Sequence, residues 1–333
     1  MAKVLRIGVL GCGRIGVMHA EMLAGRVPGA ELAGVYDVVG RAAAEVADRL
    51  GVGAAASAEE LLDSGIDAVA ICTSTDTHPE LIVAAAGAGL AVFCEKPISL
   101  DLDDIDSAVA AVDKAGVLLQ VGFNRRFDPS HAAVREAVAV GALGELHLVR
   151  ITSRDPAPPP RDYLARSGGL FYDTTIHDFD MARFITGSEV VEVHATAALR
   201  IEPSLADVAE FDTAVVVLRH QSGCITTIDN SWQAVYGYDQ RVEAFGSGGV
   251  AASENQPEHA AWRRDATGLA AAPIRHFFLE RYEEAYLRQW DAFVGAVSTG
   301  GAALVTGADG RAPVVIAQAA TESARTGHPV SIG

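Results

Sequence analysis

The sequence predicts an α/β chain of two domains: an N-terminal doubly wound parallel sheet, then a C-terminal α/β domain on an open, mostly antiparallel sheet. Three observations predict it. From about residue 4 to 140, short apolar runs alternate with longer amphipathic stretches, the pattern of strands joined by crossover helices. After Gly141 strand-like segments follow one another, divided by turn signals such as Gln221-Ser222-Gly223 and Gly246-Ser247-Gly248-Gly249. At 333 residues the chain also exceeds the length at which a single core usually keeps growing. The expected domains are 1–123 and 124–333, with the last helix a candidate to pack back on the first domain.

In the first domain, Arg6–Leu10, Leu32–Tyr36, Ala68–Cys72, Ala91–Cys94 and Leu118–Gly122 read as strands, with a weak third strand near Val52–Ala56. Strands rich in Val, Ile and Ala without polar alternation are buried on both faces, as in a parallel sheet covered by helices. Ala42–Leu50, His78–Gly89, Asp103–Ala115 and Pro129–Val140 read as helices, and Asp101 or Ser99 is placed to cap the third. In the second domain, Leu146–Ser153, Val190–Arg200, Phe211–Arg219, Cys224–Trp232 and Arg241–Phe245 read as strands. A helix near Thr174–Ile185 interrupts them, and helices Tyr282–Val297 and Asp309–Arg325 follow. The cluster Pro156, Pro158, Pro159 and Pro160 cannot donate ladder hydrogen bonds, so it is a loop, either bordering a site or serving as a rigid connector.

Bulk composition narrows the function classes. The chain is 50% apolar and 21% charged, as in an ordinary globular enzyme. The net charge of -17 would repel a phosphate backbone, which argues against nucleic acid as a partner. The longest nearly uncharged stretch, Leu81–Cys94, is interrupted by Gly87 and Gly89 and falls short of the roughly 20 residues a bilayer span needs. The N-terminus runs directly into a strand pattern without the features of a secretory signal, so a cytoplasmic location is expected. Cys12, Cys72, Cys94 and Cys224 form no C-x-x-C pair and read as reduced, buried thiols. The ten histidines make no zinc-binding spacing, so no metal site is expected.

Gly11-Cys12-Gly13-Arg14-Ile15-Gly16 fits G-x-G-x-x-G between the first strand and a helical pattern containing Ile15, Met18, His19 and Met22. Gly11 permits the tight turn, Gly13 lets backbone approach a pyrophosphate, and Gly16 allows close helix-to-strand packing. Asp37 follows about 20 residues on, at the end of the second strand, where a carboxylate accepts from ribose hydroxyls. The combination points to a Rossmann domain. The charge of Asp37 favours NAD over NADP, although Arg41 is near enough in sequence to soften the repulsion of an extra phosphate. Gly11, Gly13, Arg14, Ile15, Gly16 and Asp37 are therefore candidate cofactor residues, as are Thr73, His78, Glu95, Lys96 and Asn124 at the ends of later strands.

Two clusters carry candidate chemistry. Glu95-Lys96-Pro97 lies at the C-terminal end of the fifth strand, the edge where open parallel sheets gather ligands. Asp173 and His177, within Asp173-Thr174-Thr175-Ile176-His177-Asp178, stand at i and i+4 and share a face if they occupy one helical turn. Histidine suits the removal of a carbinol proton near neutral pH. The competing reading is an N-terminal cap at Asp173 with a buried core histidine. Arg125, Arg154, Asp155, Tyr163 and Tyr236 are candidate substrate-binding residues, and Trp232 reads as a core aromatic or a further member of the site.

Together with Thr75-Asp76-Thr77-His78, Gly122-Phe123-Asn124-Arg125-Arg126-Phe127, Ser167-Gly168-Gly169, Ser153-Arg154-Asp155-Pro156 and Tyr236-Gly237-Tyr238-Asp239-Gln240-Arg241, these motifs resemble the glucose-fructose oxidoreductase/inositol dehydrogenase (Gfo/Idh/MocA) family over nearly the whole chain. The last two runs look especially like its inositol 2-dehydrogenase branch. The resemblance implies a homotetramer assembled through the outer face of the open sheet, and a catalytic triad of Lys96, Asp173 and His177. In it, His177 takes the hydroxyl proton, Lys96 hydrogen-bonds the reacting oxygen and Asp173 anchors an adjacent hydroxyl. It implies NAD-dependent oxidation of a ring alcohol of a cyclic polyol, such as myo-inositol to its 2-ketone. Another inositol isomer such as scyllo-inositol, a monosaccharide, an anhydrosugar, or a non-catalytic dinucleotide-binding regulator stand as alternatives.

Overall fold

The computed structural model describes residues 3–333. Its contacts divide the chain into two compact units, one running to Phe123 and including Tyr286–Ala312, the other comprising Asn124–Ala285 and Pro313–Gly333. The last helix, Gly307–Thr326, is thus shared between the two.

In the first unit, strands β1 (Leu5–Leu10), β2 (Ala30–Tyr36), β3 (Gly53–Ala54), β4 (Ala68–Ile71), β5 (Ala91–Cys94) and β6 (Leu119–Val121) form a parallel sheet in the order β3-β2-β1-β4-β5-β6. Every residue of β4 and β5 is buried, because helices cover both faces and no position can face water. Strand order reverses between β1 and β4, and the chain leaves the C-terminal ends of these two strands into the glycine turn and Thr73.

Asp101 caps helix Leu102–Ala115 by accepting from the Asp103 and Asp104 amides. Ser99, the other candidate, instead accepts from the Asp101 amide and supports the cap. The third strand shrinks to two exposed residues, and helix Ala58–Leu62, capped by Ser57, follows it unforeseen. A five-residue helix is too short for hydrophobic period to reveal.

In the second unit, β7 (Leu146–Arg154), β8 (Val190–Ala198), β9 (Thr213–His220), β10 (Ile225–Ser231), β11 (Asp239–Gly246) and β12 (Gly249–Ser253) make an open sheet. A short terminal strand, Val330–Ser331, joins its edge beside β8, giving the order β12-β11-β7-β10-β9-β8 and then that strand. All neighbours are antiparallel except β7 and β10. Along β9 the side chains alternate strictly: Ala214, Val216 and Leu218 turn inward, while Val215, Val217 and Arg219 face out. The inner face packs on helix Ile176–Thr186 and the later part of the last helix through Phe179, Ile185, Ile316 and Ala320. A separate hairpin, Trp262–Asp265 with Gly268–Ala271, was not foreseen, since its strands are short and wholly exposed and so lack alternation.

Burial lowers the pKa of three histidines. Burial lowers the pKa of His131 to about 3, against the attraction of Asp128, while its ring nitrogens meet the Ser253 and Tyr282 hydroxyls. His78 and His220 are lowered for the same first reason, burial. A base with a depressed folded pKa takes up its proton only on unfolding, so stability is full above the unfolded pKa of about 6.5 and falls as pH drops below it. Urea unfolding free energy should therefore decline from pH 7 to pH 5, by up to about 1.4 kcal/mol per pH unit for each such histidine. His131→Asn should flatten that slope; an unchanged slope would mean that the buried ring already carries its proton.

Candidate active site

In the first unit the three glycines of the turn are required for three different reasons. Gly11 sits at φ +96, where a Cβ would lie 2.5 Å from the Cys72 carbonyl oxygen. At Gly16 a Cβ would fall 1.9 Å from the Gly11 carbonyl oxygen, so only glycine lets the helix close on the turn. Gly13 faces open space and precedes helix Arg14–Leu23, whose N-terminus has no side-chain cap. An uncapped N-terminus beside bare backbone offers N–H groups to an anion. Arg14 is exposed and Ile15 half-buried beside it.

Asp37 stands at the end of β2, where its two oxygens accept from the amides of Cys12 (2.7 Å) and Val39 (2.8 Å). The carboxylate thereby ties the glycine turn to the loop after β2, and each oxygen keeps a second acceptor site for a hydroxyl. These features fit an adenosine ribose and a pyrophosphate. Arg41 is turned to Glu45, 2.7 Å from it in an exposed pair.

Lys96 is half-buried at the C-terminal end of β5, and the Lys96–Pro97 peptide is cis. Its neighbours have duties other than those expected. Glu95, 8% exposed, turns its carboxylate to His19 Nε2 (2.8 Å) and to the Lys96 amide (3.2 Å). His78, 1% exposed, sets its ring nitrogens against the Pro97 and Thr73 carbonyl oxygens. Both are buried and bonded within the unit, which makes them anchors. Thr73 remains half-buried, its hydroxyl accepting from Thr77.

In the second unit the candidate residues gather at one end of the sheet, where β7 and β10 end and β11 begins. The segment expected as one helical turn is broken: Asp173 closes a short helix, Leu170–Asp173, and His177 is the second residue of helix Ile176–Thr186. The chain stays right-handed through Thr174 and Thr175, and the His177 amide bonds the Thr174 carbonyl. The break arises because both threonines turn to the sheet. The Trp232 indole donates to Thr174 (2.8 Å), and the Thr175 hydroxyl donates to Asn230 (2.8 Å). Trp232 is thus a buried anchor. Asp178 completes the seat, accepting from Asn230 (2.8 Å) and Arg125 (2.7 Å). Asp173 and His177 remain half-buried, and the Tyr163 hydroxyl donates to Asp173 (2.7 Å).

Arg125 is corrected from a substrate ligand to a core cation. It is 5% exposed and donates to Asp178, Ser153 and Tyr238. Burial works against its charge, but Tyr282, Tyr238, Asp178 and Asp155 outweigh it and hold the pKa above the usual arginine value. Asn124 beside it is buried with an Nδ2 donor that has no partner among the described residues.

Arg154 and Tyr236 lie 3.0 Å apart, with Arg154 also paired to Asp229 and Tyr236 donating to Asp239 (2.6 Å); Asp229 stands across from outward Val215, so this cluster is on the outer face of the sheet, opposite Asn230 and Asp178. Burial would raise the Asp239 carboxyl, yet hydrogen bonds from Arg241, Tyr236 and Asn255 hold it below its ordinary value. Asp155 follows Arg154, half-buried, with its backbone bonded to Ser231 and Ala234. His19, Asn230, Asp229 and Asp239 were missed by sequence reasoning. His19 left a signal as a lone polar residue on the apolar face of the helix after the glycine turn, and Asp239 lies in the run Tyr236–Arg241 that carries the family resemblance. No group of side chains suited to a metal ion occurs among the described residues.

Residues 5–123 match the oxidoreductase family with an NAD-binding Rossmann fold, and residues 131–252 match the GFO/IDH/MocA C-terminal domain. The chain is 46% identical to the myo-inositol 2-dehydrogenase of Thermotoga maritima over 96% of each chain. Among solved structures it is similar to a myo-inositol dehydrogenase from Corynebacterium glutamicum (TM-score 0.94, 40% identity, 99% of each chain). It is also similar to the scyllo-inositol dehydrogenase of Lactobacillus casei with bound NAD(H) and scyllo-inositol (TM-score 0.93, 30% identity, 99% of each chain). With an NAD-binding glycine turn in one unit and the Asp173–Asp178 segment seated on the sheet of the other, the chain belongs to the Gfo/Idh/MocA family of oxidoreductases.

Proposed function

We propose that the protein is an NAD-dependent inositol 2-dehydrogenase, oxidising a ring secondary alcohol of myo-inositol to the 2-ketone. The observation that carries this reading is the 46% identity with a myo-inositol 2-dehydrogenase across 96% of both chains.

NAD, when bound, supplies the hydride acceptor. The uncapped helix N-terminus at Arg14 and Ile15 and the bare backbone of Gly13 hold its phosphates, Asp37 its ribose, and Thr73 and Asn124 serve as further polar contacts. His177 accepts the proton of the reacting hydroxyl, a task for which an imidazole is poised near neutral pH. Lys96 donates a hydrogen bond to the same oxygen and stabilises the charge that grows on it as the proton leaves. Asp173, oriented by Tyr163, accepts from a neighbouring ring hydroxyl. Asp155 supplies a further polar group for a substrate that is polar on every edge, whereas Arg154 and Tyr236, bonded to Asp229 and Asp239, belong to the outer face of the sheet. The second unit thus serves substrate binding and assembly, and the first serves the cofactor.

The active form is a homotetramer built through the outer face of the open sheet. That face carries Val250, Phe245, Ile225, Val217 and Val215, each 39 to 57% exposed. Strand pairing sets Val250 beside Phe245, and Phe245 and Ile225 on either side of Leu148, so the apolar positions are contiguous. The enzyme works in the cytoplasm, in keeping with its four free, buried cysteines; no described helix is long and apolar enough to cross a membrane.

The deciding assay follows NADH absorbance while purified protein meets NAD or NADP with a panel of inositols and monosaccharides. Highest kcat/KM with myo-inositol and NAD is expected. Preference for scyllo-inositol or a monosaccharide would displace the substrate assignment, and turnover of none would favour a regulatory protein. His177→Ala should lower kcat by about a hundredfold or more, the loss expected on removing a general base; near-normal turnover would mean that the proton leaves by another route. Replacing Val215 and Val217 together with arginine should reduce the mass measured by sedimentation, since buried unpaired charge opposes association; an unchanged mass would place the interface elsewhere.

A further inference from the structure

We propose that His19 is a positioning residue for Lys96, acting through the carboxylate of Glu95. The inference rests on the reading of Lys96 as the donor to the reacting oxygen. His19 lies on helix Arg14–Leu23 with no exposed surface, its ring edge-on to Phe93, Tyr286 and Trp290 at centroid distances of 5.2 to 5.6 Å. An indole N–H can only donate, and Trp290 Nε1 lies 2.9 Å from His19 Nδ1. The Nδ1 atom is therefore the acceptor of a neutral ring, and the proton sits on Nε2, which donates to Glu95 Oε1 at 2.8 Å. The tautomer is thus set by the hydrogen bond on the other nitrogen.

The second oxygen of that carboxylate accepts from the Lys96 amide at 3.2 Å. Space for the group comes from Gly122, where a Cβ would lie 2.9 Å from Glu95 Cδ and Oε2. A directed chain results, from indole to imidazole to carboxylate to the backbone of Lys96. A buried carboxylate has a desolvation penalty that a well-packed apolar pair would avoid, so retaining one for stability alone gains little. What the chain does fix is the backbone from which the Lys96 side chain departs, at a place where a shift of about 1 Å costs a hundredfold in rate.

The test uses the full-length enzyme with NAD and its best substrate from the panel above. His19→Leu removes both hydrogen bonds and should lower kcat by about tenfold to a hundredfold, leaving the calorimetric Kd for NAD unchanged. In a Lys96→Ala background the same substitution should cause no further loss, because residues acting through one group are not additive. His19→Gln, whose amide can accept from the indole and donate to the carboxylate, should recover most of the turnover. Should His19→Leu fail to fold, Glu95→Gln carries the same test, since an amide has a single acceptor oxygen and cannot accept from both His19 Nε2 and the Lys96 amide. Equal fold-losses in both backgrounds, wild-type turnover in His19→Leu, or a change confined to the Kd for NAD would each overturn the proposal. Normal turnover in Lys96→Ala alone is a separate result, which would remove the role of Lys96 itself.

Discussion

In the second unit, the buried carboxylate of Asp178 is the point from which the rest of the candidate site takes its position. One oxygen accepts from the Arg125 guanidinium and the other from the Asn230 amide, so a single side chain joins the turn after Phe123, helix Ile176–Thr186 and strand β10. Such a group is costly to bury and costlier to leave unpaired; breaking one partner of a buried pair typically costs 3–5 kcal/mol. The arrangement is therefore held as a set. With Thr174 and Thr175 also bonded to β10 and the residue after it, the side chains at 174, 175 and 178 face the sheet, while Asp173 and His177 stay half-buried.

Glu95 plays the corresponding part in the first unit. It too is a buried carboxylate with a donor on each oxygen, and it too lies next in sequence to the residue of chemical interest. Asp37 follows the same plan more loosely, half-buried and bonded to two amides, one of them in the glycine turn. All three carboxylates use backbone or buried side-chain donors to fix the loop that carries a functional group, and loops at strand ends have few other means of acquiring rigidity. A site assembled this way depends on acids whose oxygens are held by donors of the protein itself.

That division of labour explains what the sequence revealed and what it did not. The parallel sheet was legible because β4 and β5 are uninterrupted apolar runs, and the open sheet because strands such as β9 alternate residue by residue. The glycine turn was legible because steric need at Gly11 and Gly16 leaves a fixed spacing in the chain. Element ends and short pieces were not: helix Ala58–Leu62 and hairpin 262–271 bury too little to impose a period. The break between Asp173 and His177 was hidden for a different reason, since it is made by Trp232 and Asn230, far away in sequence.

The misassigned residues, His78, Glu95 and Arg125, share one property that a sequence does not carry. Each is polar, each lies within a motif that marks the site, and each is more than nine-tenths buried with its polar atoms bonded within the same unit. A motif marks a stretch of chain whose geometry matters, and within it the groups that hold and the groups that act are chemically alike. Exposure separates them: Lys96, Asp173 and His177 are half-buried, whereas the anchors beside them are closed off. Asp178, with each oxygen on a buried donor, is part of the frame that seats the segment.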